Sequence, residues 1–197
     1  MSEFVYQLNL PPITDMLLDG INENMLAPLA RKADWGSFFI YESMLATSII
    51  KPAYLNINGF EFTKAILFYK SKGKLGRIHR DTSDPGITDW CINWIHGGFG
   101  TLEYWKDEDF INGEVMPLID EQGYNTREYR IKPYTSLVPA RKTYTTTSPN
   151  AYLLNTGEIH RPTAWGGRWA ISLRTKILPN CNMSWDDIVE KFKNLIV

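Results

Sequence analysis

The run Gly76-Arg77-Ile78-His79-Arg80-Asp81 places an imidazole and a carboxylate two residues apart. In an extended chain, residues i and i+2 project to the same face, so His79 and Asp81 converge while Arg80 faces away. Two ligand-type side chains aimed together are the beginning of a metal site. The same pair on a solvated edge, with Asp81 capping the turn at Thr82-Ser83-Asp84-Pro85-Gly86, would read identically. The remainder of the chain has to separate the two.

Two downstream groups do so. His160 lies near the start of the strand-like run Ile159–Trp165, and Arg168 opens the next run after Gly166-Gly167. On that last run Arg168, Ala170, Ser172 and Arg174 share one face, and Trp169, Ile171 and Leu173 share the other. Such a strand fits between an apolar layer, expected to be helical, and a polar cavity. Two imidazoles and a carboxylate on one face of an octahedral ion leave three positions open, the facial triad of non-haem Fe(II) oxygen chemistry. A bidentate oxo-acid takes two of them and dioxygen the third. A second carboxylate on the oxo-acid needs a fixed cation deeper in the fold, which Arg168 supplies as a planar fork of donors. Ser172 adds a hydroxyl on the same face.

These residues need a framework of strands. Phe62–Lys70, Leu75–Asp81, Trp90–His96, Gly100–Trp105, Lys142–Thr147, Ala151–Gly157, Ile159–Trp165 and Arg168–Lys176 read as short strands with turn signals between them. The N-terminal third combines an extended Phe4–Leu10 with expected helices around Thr14–Leu26 and Ser37–Ile50. Residues 107–142 are polar and read as an irregular loop or lid. At the C-terminus Ser184 is an expected N-cap with Asp187 three residues on, and Ile188, Phe192 and Leu195 form an apolar stripe. The expected fold is mainly β: a double-stranded β-helix, or jelly roll, with flanking N- and C-terminal helices. The division is a single domain over 1–197, with support in 1–61, a jelly-roll core in 62–177 interrupted by the 107–142 insert, and a closing helix in 178–197.

Composition narrows the function classes. Lys plus Arg number 21 against 22 Asp plus Glu, a net charge of −1, so no global field favours nucleic acid or an anionic membrane. The 7 Trp and 10 Tyr fit a β-rich core. Two cysteines, Cys91 and Cys181, exclude a disulfide framework. The opening residues lack the pattern of a secretory signal, and no stretch reaches the ~18 apolar residues of a membrane span. A soluble cytoplasmic protein is the expectation, with no nucleic-acid or membrane partner.

The motif set His79-x-Asp81, His160 and Arg168, distributed over a jelly-roll strand order, resembles the Fe(II)/2-oxoglutarate-dependent oxygenases. The resemblance is to small bacterial and phage-type members, prolyl- or aspartyl-hydroxylase-like. The Trp-containing strand Asp89–Ile95 follows the His-x-Asp strand, and Asn155-Thr156 precedes the second histidine. It covers about residues 62–177, outside the insert. It implies an iron centre held by His79, Asp81 and His160, and 2-oxoglutarate anchored by Arg168 with Ser172. It further implies a dioxygenase that hydroxylates an organic substrate, a peptide side chain or a small molecule, with dioxygen as co-substrate. Many relatives carry Arg-x-Ser on the last strand where this chain has Arg168-Trp-Ala-Ile-Ser172, so Arg174 competes with Arg168 for the anchor. Arg168 is preferred because Arg174 follows His160 at a longer interval than the family usually shows.

Two other readings stand beside this one. The third histidine, His96, reads as a turn or pocket-wall residue beside Gly97-Gly98, yet it would complete a three-histidine, cupin-like metal enzyme that uses no oxo-acid. From another class, the alternative is a non-catalytic jelly-roll binding module that keeps these residues but holds no metal, or a structural zinc. Asn93 reads either as a co-substrate hydrogen-bonder or as a buried polar group paired to backbone. Trp90 and Trp94 share the face of His96, which the sequence leaves open between pocket and core.

Overall fold

A computed structural model describes residues 3–11, 35–40, 60–70, 73–76, 78–81, 90–110, 114–119, 125–130, 139–177 and 183–197. The strands in chain order are β1 (Val5–Leu8), β2 (Trp35–Ile40), β3 (Phe60–Lys70), β4 (Lys74–Leu75), β5 (His79–Asp81), β6 (Trp90–His96) and β7 (Phe99–Trp105). There follow β8 (Glu114–Ile119), β9 (Asn125–Arg130), β10 (Lys142–Thr147), β11 (Ala151–Asn155), β12 (Ile159–Ala164), β13 (Arg168–Ile177) and the helix α1 (Trp185–Phe192).

They form two antiparallel sheets. The larger by residues in strands is six-stranded, in the order β1-β11-β6-β13-β3-β2; the smaller, of shorter strands, is seven-stranded and runs β10-β7-β12-β5-β9-β8, with β4 also pairing β12. Taken in chain order, the central strands β3, β5, β6, β7, β10, β11, β12 and β13 place their first, third, sixth and eighth members in the larger sheet. The second, fourth, fifth and seventh lie in the smaller. This is a jelly-roll sandwich.

Strand β6 shows why the larger sheet is central. Its residues Trp90, Cys91, Ile92, Trp94 and Ile95 are all buried, because both faces of the sheet are covered. On one face Trp90, Ile92, Trp94, Leu153, Ile171 and Leu173 pack against Ile188 and Phe192 of α1. The Trp90 and Phe192 rings meet edge to face, 5.5 Å apart. On the other face Cys91, Ile95, Tyr152 and Leu154 meet Leu102 and Tyr104 of the smaller sheet. Strand β10 is the opposite case. It lies at a sheet edge, and its Lys-Thr-Tyr-Thr-Thr-Thr sequence alternates between half-buried and exposed up to buried Thr146.

The capping box expected from the sequence is present. The Ser184 hydroxyl accepts from the Asp187 amide at 3.2 Å, and the Asp187 carboxylate accepts from the Ser184 amide at 2.9 Å. Asp186 and Asp187 in the first turn and Lys191 in the last complement the helix dipole. The chain ends are tied together: Asn9 donates to the Leu195 carbonyl at 2.7 Å and Val197 to that of Gln7 at 3.1 Å. Among the described residues, no helix is long and apolar enough to cross a membrane.

Three expectations need correction. The expected helix over Ser37–Ile50 begins instead as β2, paired antiparallel with β3 from Trp35↔Lys70 to Ile40↔Ala65. Phe38, Phe39 and Ile40 form a short apolar run whose periodicity does not distinguish helix from strand, and the open side of β3 supplies its backbone partners. The expected helix at Thr14–Leu26 lies outside the described residues. The insert 107–142 is not an irregular loop. It opens with a 3-10 turn at Asp107–Phe110, contains the β8–β9 hairpin, and Lys142 already belongs to β10. Finally, Leu75–Asp81 is not one strand but two pieces, β4 and β5.

Because α1 closes the apolar face of the larger sheet through Phe192, Phe192→Ala should cost about 3–5 kcal/mol. Ser184→Ala, which removes only the cap, should cost about 1 kcal/mol. Urea denaturation of both variants checks the ranking, and equal losses would contradict it.

Candidate metal centre

Strand β5 is three residues long, and its neighbours determine its position. His79 stands directly opposite His160 of β12 on one side and opposite Glu128 of β9 on the other. The Asp81 amide donates to the Thr156 carbonyl at 3.0 Å, which fixes the end of the strand. Ile78, on the other face, is buried with Trp105 and Ile159. That apolar anchor turns His79 and Asp81 toward the interior of the sandwich.

The ligand-type atoms of His79, Asp81 and His160 all lie within 4.8 Å of one another. The His79 Nε2 is 3.7 Å from the Asp81 Oδ1, and the two histidine rings are 4.3 Å apart. Adjacent ligands about 2.1 Å from one octahedral ion are roughly 3 Å apart, so small side-chain rotations bring all three onto a common ion. The His160 Nδ1 is 2.9 Å from the Glu158 carbonyl oxygen. A carbonyl only accepts, so in the neutral ring Nδ1 carries the proton and Nε2 keeps its lone pair, the arrangement a metal requires. His160 is 5% exposed, whereas the His79 and Asp81 side chains are 23% and 19% exposed. The cluster is therefore buried on one side and reachable from the other.

Arg168 is 7% exposed at the start of β13. Its Nη1 donates to the Thr146 hydroxyl at 2.6 Å, and that hydroxyl lies 3.4 Å from the Gly100 carbonyl. Gly100 makes room for the guanidinium: a Cβ there would lie 2.6 Å from Nη1 and 2.0 Å from the Thr163 carbonyl oxygen. No carboxylate pairs with Arg168 among the described residues. Burial pushes its pKa down to about 10, which leaves it charged at neutral pH. Ser172, two positions further along the same face, is fully buried, and its hydroxyl has no hydrogen-bond partner among the described residues.

The fold thus brings together His79, Asp81 and His160, and sets Arg168 and Ser172 on the inner face of the opposite sheet. His96 is not with them. It is opposite Trp169 in register and alternates onto the face of Trp90 and Trp94. Trp90 and Trp94 belong to the core under α1, and Trp94 Nε1 donates to the Pro11 carbonyl at 3.0 Å. Asn93 is on the inner face opposite Ser172, where its Oδ1 accepts from the Cys91 thiol at 3.3 Å. The Arg174 side chain lies outside the described residues. Sequence reading missed Thr146, Gly100 and Tyr104. Tyr104 is fully buried directly opposite His160. Nothing in Lys-Thr-Tyr-Thr-Thr-Thr or Phe-Gly-Thr-Leu-Glu-Tyr marks these residues, because cross-strand register alone brings them to the site.

No family model matches the chain, and no curated protein does. Among solved structures, the chain is similar to a cupin 2 domain-containing protein from Halorhodospira halophila at 10% identity, with 96% of this chain and 90% of that one covered and a TM-score of 0.38. It is similar to E. coli ycfD at 11% identity, covering 90% of this chain and 50% of that one, TM-score 0.43. HygX from Streptomyces hygroscopicus, solved with iron bound, aligns at 12% identity over 87% and 83% of the two chains, TM-score 0.39. Scores this low establish neither membership of a family nor a shared activity. The architecture rests on the strand order described above.

A buried cation without a counter-charge costs stability, and an apolar side chain of similar length removes that cost. Arg168→Met should therefore raise the stability of the ligand-free protein by about 1–3 kcal/mol. Thermal and urea melts of the two proteins decide it, and a strongly destabilised variant would mean that the guanidinium is a structural tie.

Proposed function

We propose that this chain is an Fe(II)- and 2-oxoglutarate-dependent dioxygenase that hydroxylates an organic substrate. The observation that carries the reading is Arg168, a buried guanidinium with no carboxylate partner among the described residues, on the inner wall of the sandwich that also holds His79, Asp81 and His160. A cation maintained at such a cost is best explained by an anion that completes it.

The donor set fits the metal. Two imidazoles and one carboxylate are the ligands of a non-haem Fe(II) site with open positions. When bound there, Fe(II) supplies the oxygen chemistry by which 2-oxoglutarate, dioxygen and a C–H substrate become succinate, carbon dioxide and the hydroxylated product. The protein's own residues perform the positioning. Thr146 takes one Arg168 donor and leaves the rest of the guanidinium fork for a carboxylate, which the Ser172 hydroxyl supports. From His160 to Ala164, the residue opposite Gly100, is four residues, about 13 Å of strand. On this reading a small dicarboxylate lies along the strands, between the guanidinium beside Gly100 and the ligands around His160. His160 is held by the Glu158 carbonyl in the tautomer that leaves Nε2 for the metal. Burial around Arg168 keeps water from competing for the anion.

Anaerobic titration with Fe(II) and then 2-oxoglutarate tests the centre. The expected result is a weak visible charge-transfer band in the wild type, absent in His79→Ala and weakened in Arg168→Met. Under air, succinate release should follow the same order. Bound metal without the band would favour a cupin-like metal enzyme that uses no oxo-acid. Absence of metal binding would leave a jelly-roll binding module.

A further inference from the structure

The N-terminal strap reaches the candidate centre through a line of rings. Strand β1 pairs with β11 of the larger sheet, but Glu3 and Phe4, just before it, lie against the smaller sheet. Phe4 stacks on Tyr104 with centroids 4.9 Å apart and planes 28° apart. Tyr104 lies 5.8 Å from the His160 ring at 30°, and His160 is 4.3 Å from His79. The strap itself is fastened at several points. Lys142 Nζ contacts both Glu3 carboxylate oxygens at 2.9 Å and sits 5.6 Å from the Phe4 ring centroid. The Phe4 amide donates to the Tyr144 hydroxyl at 3.1 Å, that hydroxyl donates to Glu3, and Trp185 Nε1 donates to the Glu3 carbonyl at 2.8 Å.

Tyr104 needs such support. It is fully buried, and its hydroxyl has no hydrogen-bond partner among the described residues. Packing alone therefore fixes the ring: Phe4 on its face and Tyr144 at its edge, 5.7 Å away at 86°. The Glu158 carbonyl sets one edge of the His160 imidazole, and rotation about that contact is what a ring packed alongside can restrict. The neighbouring Tyr104 ring limits that motion.

We propose that Phe4 is a positioning residue for the metal centre: by holding Tyr104 against His160 it fixes the imidazole in the orientation that binds metal. This role rests on the metal-centre reading above. Removing the Phe4 ring leaves a space into which Tyr104 can tilt, and the His160 ligand then loses its pre-set geometry. Loss of support for a metal-bound histidine typically weakens metal affinity by about 10–100-fold.

Mn(II) titration followed by electron paramagnetic resonance, with Co(II) absorption reporting ligand geometry, tests this on the full chain. Phe4→Ala should weaken Mn(II) binding at least about tenfold and alter the Co(II) spectrum. Phe4→Leu, which refills most of the volume, should recover much of the loss. Ile188→Ala, in the separate core under α1, controls for loss of stability alone. The proposal fails if Phe4→Ala and Phe4→Leu both bind Mn(II) like the wild type, or if Ile188→Ala weakens binding as much as Phe4→Ala. A wild type that binds no Mn(II) or Co(II) would instead overturn the metal-centre reading, and with it this role for Phe4.

Discussion

The two-residue period of β13 is the constraint on which the two halves of the molecule depend. Ile171 and Leu173 turn outward to Ile188 and Phe192, whereas Arg168, Ala170 and Ser172 turn inward between the sheets. Because the period is two, a slip of one residue in register would send the guanidinium into the helix-covered core and a leucine toward the candidate site. Pairing with β3 from Arg168 to Arg174 on one side and with β6 from Trp169 to Arg174 on the other fixes that register, which shifts only beyond, between Arg174 and Thr175. The apolar face thus supplies the stability that lets the opposite face carry a charge.

Strand β5 presents the reverse problem. Three residues cannot define a strand by themselves, and two of the three are candidate ligands. Their placement is imposed by β12, by β9 and by the burial of Ile78 on the far face. The β8–β9 hairpin therefore does more than extend the smaller sheet. Without it β5 would be an exposed edge, with unpaired backbone groups beside the ligands.

The interior between Arg168 and His160 departs from the pattern of a plain sandwich core. A buried guanidinium bonded to Thr146 and a buried Ser172 hydroxyl without a partner among the described residues each cost stability. Such costs persist where a site is built for something other than packing. The neighbouring Tyr104 ring lies between those of Phe4 and His160, which joins the N-terminal strap to the candidate ligands. The folded ends of the chain, where Trp185 donates to Glu3, Asn9 to Leu195 and Val197 to Gln7, stabilise that strap from outside the sheets.

Much of this was legible in the residues themselves. The alternation of Arg168–Leu173 gave both faces of β13, the Ser184–Asp187 pair gave the helix start, and the spacing of His79 and Asp81 placed them on one face. These are local properties, set by backbone period and capping chemistry within a few residues. What the sequence could not give depends on contacts between distant segments. That β2 is a strand follows from the open side of β3, and that the insert holds a hairpin follows from the unpaired side of β5. Phe4, Tyr104, Thr146 and Gly100 gain their roles from cross-strand register and from stacking over a hundred residues of chain. Local patterning determined which side chains point together along each strand; only the tertiary pairing decided which strands face one another, because register is set by the burial of whole sheets.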